Sequence, residues 1–126
     1  MTWPFQAAPK LREYLTTDTA PAFFLQDCDF AGDERLLHTN HEKARPVNTG
    51  VLMLIRSLDW SQSISRFLEL SSDPTFFTNQ TMTHLTMHAN AARPFDPASF
   101  VLQLDDQFGY ADRYAGPDLV LRHYVD

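Results

Sequence analysis

Apolar and polar positions along the chain sort into alternating helix-like and strand-like stretches. Ala8, Leu11 and Leu15 recur at helical spacing, Pro9 suits a first helical turn, and the stretch stops near Thr16-Thr17-Asp18. Ala22 to Gln26 reads as a short strand, apolar without a break up to Leu25, as buried parallel strands are. Gly32 to Pro46 is polar and mixed in charge, a loop of the length associated with function. Asn48-Thr49-Gly50 then reads as a turn, and Val51 to Ile55 as the clearest strand, expected to be buried on both faces.

Downstream, Asp59 can cap a helix that carries Trp60, Ile64, Phe67 and Leu68 on one face and ends at Ser71-Ser72-Asp73-Pro74. A Thr-rich helix is expected from Gln80 to about His88, with Met82, Leu85 and Ala89 inward. Phe100 to Leu104 and Leu119 to Tyr124 read as short strands, separated by Gly109, Gly116 and Pro117. The alternation predicts an α/β protein, with residues 1–126 forming one domain.

Composition narrows this picture. A chain of 126 residues, 44% apolar and with 10 Phe, suits one packed core. Its net charge of −6, without a Lys/Arg cluster, argues against a nucleic-acid partner. The single Cys28 excludes an internal disulfide framework. Met1-Thr2-Trp3-Pro4-Phe5 has neither the positive region nor the apolar core of a signal peptide, and no apolar run has the length of a membrane span.

Candidate chemistry centres on Asp27-Cys28-Asp29, at the end of the first strand. Two carboxylates at i and i+2, where a strand opens into a loop, can reach one hard divalent cation if the backbone turns. Solvated loop carboxylates are the plain alternative. His84 and His88 stand at the spacing of two ligands on a helix, but Leu85 replaces the Glu of a metalloprotease motif; a polar helix face is the other reading. His38 and His41 read as solvated loop residues, and Trp60 with Phe67 as core rather than as a sugar platform. Carboxylates beside Cys28 would raise its thiol pKa and oppose a nucleophilic role. Ser61, Ser63 and Ser65 lack nucleophile-elbow glycines, and Asp105-Asp106 reads as a turn.

Taken in order, Asp27-Cys28-Asp29, Asn48-Thr49-Gly50 with its apolar run to Arg56, Asp59-Trp60-Ser61, Asn79-Gln80 and His123-Tyr124-Val125 form a set of landmarks. The set resembles the metal-binding half of GT-A-type glycosyltransferases of the glycogenin-like and galactosyl/xylosyltransferase-like kind. That resemblance implies a partial GT-A, Rossmann-like nucleotide-diphospho-sugar transferase fold, a mixed sheet with flanking helices. It implies a UDP-sugar donor, a Mn²⁺ or Mg²⁺ cofactor, and a glycan, protein or small-molecule acceptor. Asp27 and Asp29 would hold the metal and the donor's ribose or diphosphate, and His123 would be the third protein ligand. Asn48 and the backbone at Thr49-Gly50 would line the sugar pocket with Gln80 near the donor sugar, making Asn48 and Gln80 the candidate catalytic residues.

Two positions depart from the family pattern: Asn79 replaces an acidic residue, and Asp126 replaces a glycine. The family's nucleotide-binding half lies upstream of D-x-D, and only a short stretch precedes Asp27 here, so the resemblance implies a segment of a longer domain or a reduced remnant. Eukaryotic members of the family often face the Golgi lumen. The rival expectation is a non-catalytic α/β module that binds a partner or assembles through an unpaired sheet edge.

Overall fold

The structure, a computed structural model, describes residues 7–17, 19–27, 29–97, 99–104 and 121–125. Cys28, the opening Trp3-Pro4-Phe5, Asp105-Asp106, Gly109, Gly116 and Asp126 lie outside them. The architecture is α/β, with a small three-stranded sheet and helices, and the chain divides into two compact units.

In the unit Ala20–Arg93, strand β1 (Ala22–Gln26) is buried from Ala22 to Leu25, as its unbroken apolar run predicts. It is the central strand of the order β2-β1-β3, where β2 is Val47–Leu54 and β3 is Arg93–Pro94. Contrary to the parallel pattern suggested by its composition, β1 pairs with β2 antiparallel. The connection between them contains only two short 3₁₀ turns, Glu34–Leu36 and Asn40–Lys43, and lacks the crossover helix that parallel neighbours require.

The register is Phe24 opposite Leu52 but Leu25 opposite Asn48, so the ladder is interrupted by a bulge that contains Thr49, Gly50 and Val51. The Asn-Thr-Gly sequence is therefore a break inside a strand rather than a turn before one. Strand β2 is also not buried on both faces: Leu52 and Leu54 are 36% and 57% exposed. Among the described residues it lies at the edge of the sheet, beside β1.

Helix α2 (Ser61–Leu68) begins after Asp59, whose carboxylate accepts the Ser61 N–H at 2.9 Å; Trp60 occupies the N-cap position itself. Asn90 fixes this entry by accepting the Asp59 N–H and donating to the Asp59 carbonyl, both at 2.9 Å. The expected apolar face is only partly inward: Trp60 and Phe67 are half-buried. Ile64 and Leu68 are 48% and 74% exposed, while Ser63 and Arg66 are buried. Ser63 meets the Thr86 hydroxyl, and Arg66 has its own acceptors, so polar groups line this helix contact because each is paired.

Helix α3 (Thr78–Ala89) starts one turn from Thr75, whose Oγ1 accepts the Phe77 N–H at 3.2 Å. Of the three residues expected inward, only Leu85 is buried, whereas Met82 is half-buried and Ala89 exposed. The inward face is instead Thr78, Thr81, Thr83, His84, Leu85, Thr86 and Met87. Met87 joins Ala22, Phe24, Val47 and Ala92 in the apolar core, with Leu58 packed against it.

In the other unit, helix α1 (Ala7–Thr17) carries Tyr14, which meets the rings of Phe95 and Phe100 edge-on at 5.3 and 5.4 Å. Those two phenylalanines stack at 3.9 Å, and the Tyr14 hydroxyl accepts the Asp96 N–H at 3.0 Å. Leu15, placed on one helical face with Ala8 and Leu11, is 55% exposed. Strands β4 (Phe100–Leu104) and β5 (Leu121–Val125) pair in parallel, with Leu102 opposite His123.

Candidate functional site

The acidic pair follows the last residue of β1. Because β1 and β2 run antiparallel, the carboxyl end of β1 lies beside the amino end of β2, which brings Asp27 to Asn48. The backbone secures this meeting: Gln26 pairs with Val47, and the Asp27 N–H donates to the Pro46 carbonyl at 2.8 Å. The Asn48 side-chain amide then donates to the Asp27 carboxylate at 3.2 Å, while its own oxygen accepts the Gly50 N–H at 2.8 Å. One asparagine thus both stabilises the bulge and orients the carboxylate.

Asp29 is exposed and lines a small cavity with Phe30, Ala31, Pro46, Val47, Gln80, Thr81 and His84. The structure therefore gathers Asp27, Asn48 and Gly50 into one hydrogen-bonded run, and Asp29 with Gln80 around one cavity. His123 belongs to β5 in the other unit, and its side chain lies outside those described. Among the described residues, no three His, Cys, Asp or Glu side chains gather to hold a metal. Two carboxylates at i and i+2 still fit a hard cation in kind, since Mg²⁺-type sites often use one or two carboxylates and complete the shell with water and phosphate oxygens.

Three polar networks were not visible in the sequence pattern. Asp33 is buried and accepts Arg35 Nε at 2.8 Å, Arg35 Nη2 at 2.7 Å and the Thr78 hydroxyl at 2.6 Å. The Arg35 guanidinium bond, more than offsetting burial and joined by Thr78, holds the Asp33 carboxyl well below the usual range. The Thr81 hydroxyl accepts the Asp33 N–H at 2.7 Å and donates to the Phe77 carbonyl at 2.9 Å. Gly32 is required beside it, because a Cβ there would collide with Thr81 Oγ1.

In the second network Arg66 donates to the Leu36 carbonyl at 3.0 Å and lies 2.9 Å from the Glu42 carboxylate. Glu42 also accepts the His38 and Thr39 N–H groups at 2.7 and 3.1 Å. Burial pushes the Glu42 carboxyl up, but these two N–H groups and Arg66 outweigh it and leave it lowered.

The third network involves the two helix histidines, which do not form an exposed polar face: His84 is buried and His88 half-buried. His84 Nε2 lies 2.7 Å from the Glu42 carbonyl, and its Nδ1 accepts the Val47 N–H at 3.3 Å. His88 Nε2 lies 2.9 Å from the Arg45 carbonyl. Since a carbonyl only accepts, both rings carry their proton on Nε2. His38 and His41 are exposed, as expected. The stripe Thr81, His84, Leu85, His88 has helical spacing, and that period was the one available signal for the inward face.

No known protein family, curated protein or solved structure matches this chain. No helix among the described residues is long and apolar enough to cross a membrane.

Proposed function

We propose that the chain is a metal-dependent glycosyltransferase segment of the GT-A type that handles a nucleotide-sugar donor, of UDP-sugar class, and holds part of that fold. The observation that supports this reading is the 3.2 Å bond from Asn48 to Asp27, which joins the D-x-D and Asn-Thr-Gly landmarks in space. On this reading Asp27 and the exposed Asp29 hold a Mn²⁺ or Mg²⁺ ion. Asn48 keeps the Asp27 carboxylate turned toward the ion, and Asn48, Gly50 and Gln80 border the sugar. The ion, when bound, supplies Lewis-acid neutralisation of the leaving diphosphate.

Calorimetric titration of UDP with and without Mn²⁺ tests the assignment. Heat of binding is expected only with Mn²⁺, and Asp27→Ala or Asp29→Ala is expected to remove it. Metal-dependent affinity that both variants leave unchanged would overturn the assignment.

A second reading is a non-catalytic assembly module. It is favoured by the outward apolar residues of α2, Ile64 and Leu68, and of the edge strand β2, Leu52 and Leu54. Size-exclusion chromatography separates the two. A monomer that binds UDP with Mn²⁺ supports the enzyme, whereas a stable oligomer without nucleotide affinity supports the module.

A further inference from the structure

The segment Glu42–Val47, which leads into β2, is fastened to α3 by imidazoles. His84 donates to the Glu42 carbonyl and accepts the Val47 N–H, thus closing on the segment at both ends. His88 donates to the Arg45 carbonyl between them. Arg45 has φ of 50°, a left-handed conformation that a residue with a side chain adopts only when its surroundings impose it. The two rings stand 4.7 Å apart, His84 packs on Phe30, and His88 packs on Phe24.

We propose that His84 and His88 form an acid-sensitive clasp, which holds the Glu42–Val47 segment on α3 while both rings are neutral and opens it when they take up protons. A proton on His84 Nδ1 would turn the acceptor of the Val47 N–H into a donor facing a donor. A second proton on His88 would set two cations side by side. Release would also let Arg45 leave its strained conformation.

The charged surroundings are consistent with this direction. Glu42 and Arg45 of the segment, and His41 just before it, line a pocket shared with the rings, and Asp29 lines the cavity beside His84 without bonding to it. Arg66, from α2, is engaged with the Glu42 carboxylate. Burial lowers the pKa of His84 more than the Glu42 carbonyl and charge raise it. Burial likewise lowers that of His88, with further lowering by His84 and Arg45 against the bond to the Arg45 carbonyl. The open form therefore binds more protons than the closed one, and opening is favoured as pH falls below the ordinary histidine value of 6.5. Glu42, already lowered from 4.5, stays ionised through that window and does not set it.

Amide hydrogen exchange on the whole chain reads the clasp directly, because the Val47 N–H is its own reporter. From about pH 7.5 to about pH 5, Val47 protection, corrected for intrinsic exchange, is expected to fall about tenfold per pH unit below the histidine value for one proton taken up, and more steeply for two. The Ile64 N–H, bonded to the Trp60 carbonyl in α2, serves as the control and is expected to hold its protection. His88→Gln, which keeps a donor for Arg45, is expected to reduce the slope, and His84→Gln/His88→Gln to abolish it. Flat protection at Val47, a fall matched by Ile64, or a slope that survives in the double variant would each overturn the clasp. Should the double variant fail to fold, ring-nitrogen NMR of the natural chain decides: a His84 carrying its proton on Nε2 and titrating below 6.5 supports it, and ordinary titration overturns it. The clasp stands whether or not Asp27 holds a cation.

Discussion

The Thr78 hydroxyl donates to the Asp33 carboxylate at 2.6 Å, linking the first turn of α3 to the loop that leaves β1. Both groups are buried, and the same carboxylate takes two bonds from the Arg35 guanidinium. Such a carboxylate organises a loop because every lone pair it brings from water is matched. It follows that charge-assisted hydrogen bonds help hold the loop on α3.

Asp33→Ala is expected to cost about 2–3 kcal/mol in urea unfolding, since it leaves the buried Thr78 hydroxyl without its carboxylate acceptor and Arg35 with only Ser72 and the Asp73 carbonyl. The acid limb gives a second check. The folded Asp33 carboxyl lies below its ordinary 3.8, so its contribution is full above that value and is lost as pH falls through and below it. Asp33→Asn should flatten stability against pH in that range; an unchanged acid limb would assign it to other carboxylates.

Arg66 and Glu42 form the second test. Their side chains are 10% and 22% exposed, so solvent screens the pair only partly. Removing the cation in Arg66→Met should cost about 3 kcal/mol because a half-buried carboxylate and the Leu36 carbonyl lose their donor. Glu42→Gln retains acceptors for the His38 and Thr39 N–H groups and should cost about 1 kcal/mol. A double-mutant cycle is expected to show coupling of about 1 kcal/mol or more. Additive losses would show that the pair does not act as a unit.

The α/β alternation and the span of β1 could be read from the chain because Ala22 to Leu25 is apolar and buried as a block. Strand β2 was half legible. Its apolar part stood out, but its first residues, Val47 and Asn48, look like loop and become strand only by pairing with Gln26 and Leu25. The inward faces of α2 and α3 were legible only in part, in Leu85 and the half-buried Trp60, Phe67 and Met82, because hydrophobic periodicity assigns polar residues outward. Here Ser63, Arg66, Thr78, Thr81, His84 and Thr86 are buried with partners that only the folded chain provides. Of the candidate site, the approach of Asp27 to Asn48 is visible, whereas the position of His123 lies outside the described side chains.

The outward apolar residues of α2 give the next prediction. Leu68→Lys and Ile64→Lys place charges where the side chains already meet solvent, and each should change stability by less than about 0.5 kcal/mol. Phe24→Ala and Met87→Ala remove fully buried core groups, and each should cost about 3 kcal/mol or more. Thermal denaturation of the four variants separates the groups. A large loss in Leu68→Lys would mean that this face is covered in solution, which would favour the assembly reading.

Asn48 allows the site and the fold to be tested together. Asn48→Ala removes the donor to Asp27 and the acceptor of the Gly50 N–H, both in partly exposed positions, and should cost about 1 kcal/mol of stability. If Asn48 orients a metal-binding carboxylate, the same change should weaken Mn²⁺-dependent UDP binding about tenfold, as loss of an outer-shell partner commonly does. Asn48→Asp separates the roles further. It keeps an acceptor for Gly50 but sets a second carboxylate against Asp27, so it should destabilise the chain without metal and regain stability when Mn²⁺ is added. Thermal shifts with and without Mn²⁺ make the comparison. If Asn48→Asp responds to Mn²⁺ no more than Asn48→Ala does, the contact between Asn48 and Asp27 serves the bulge alone.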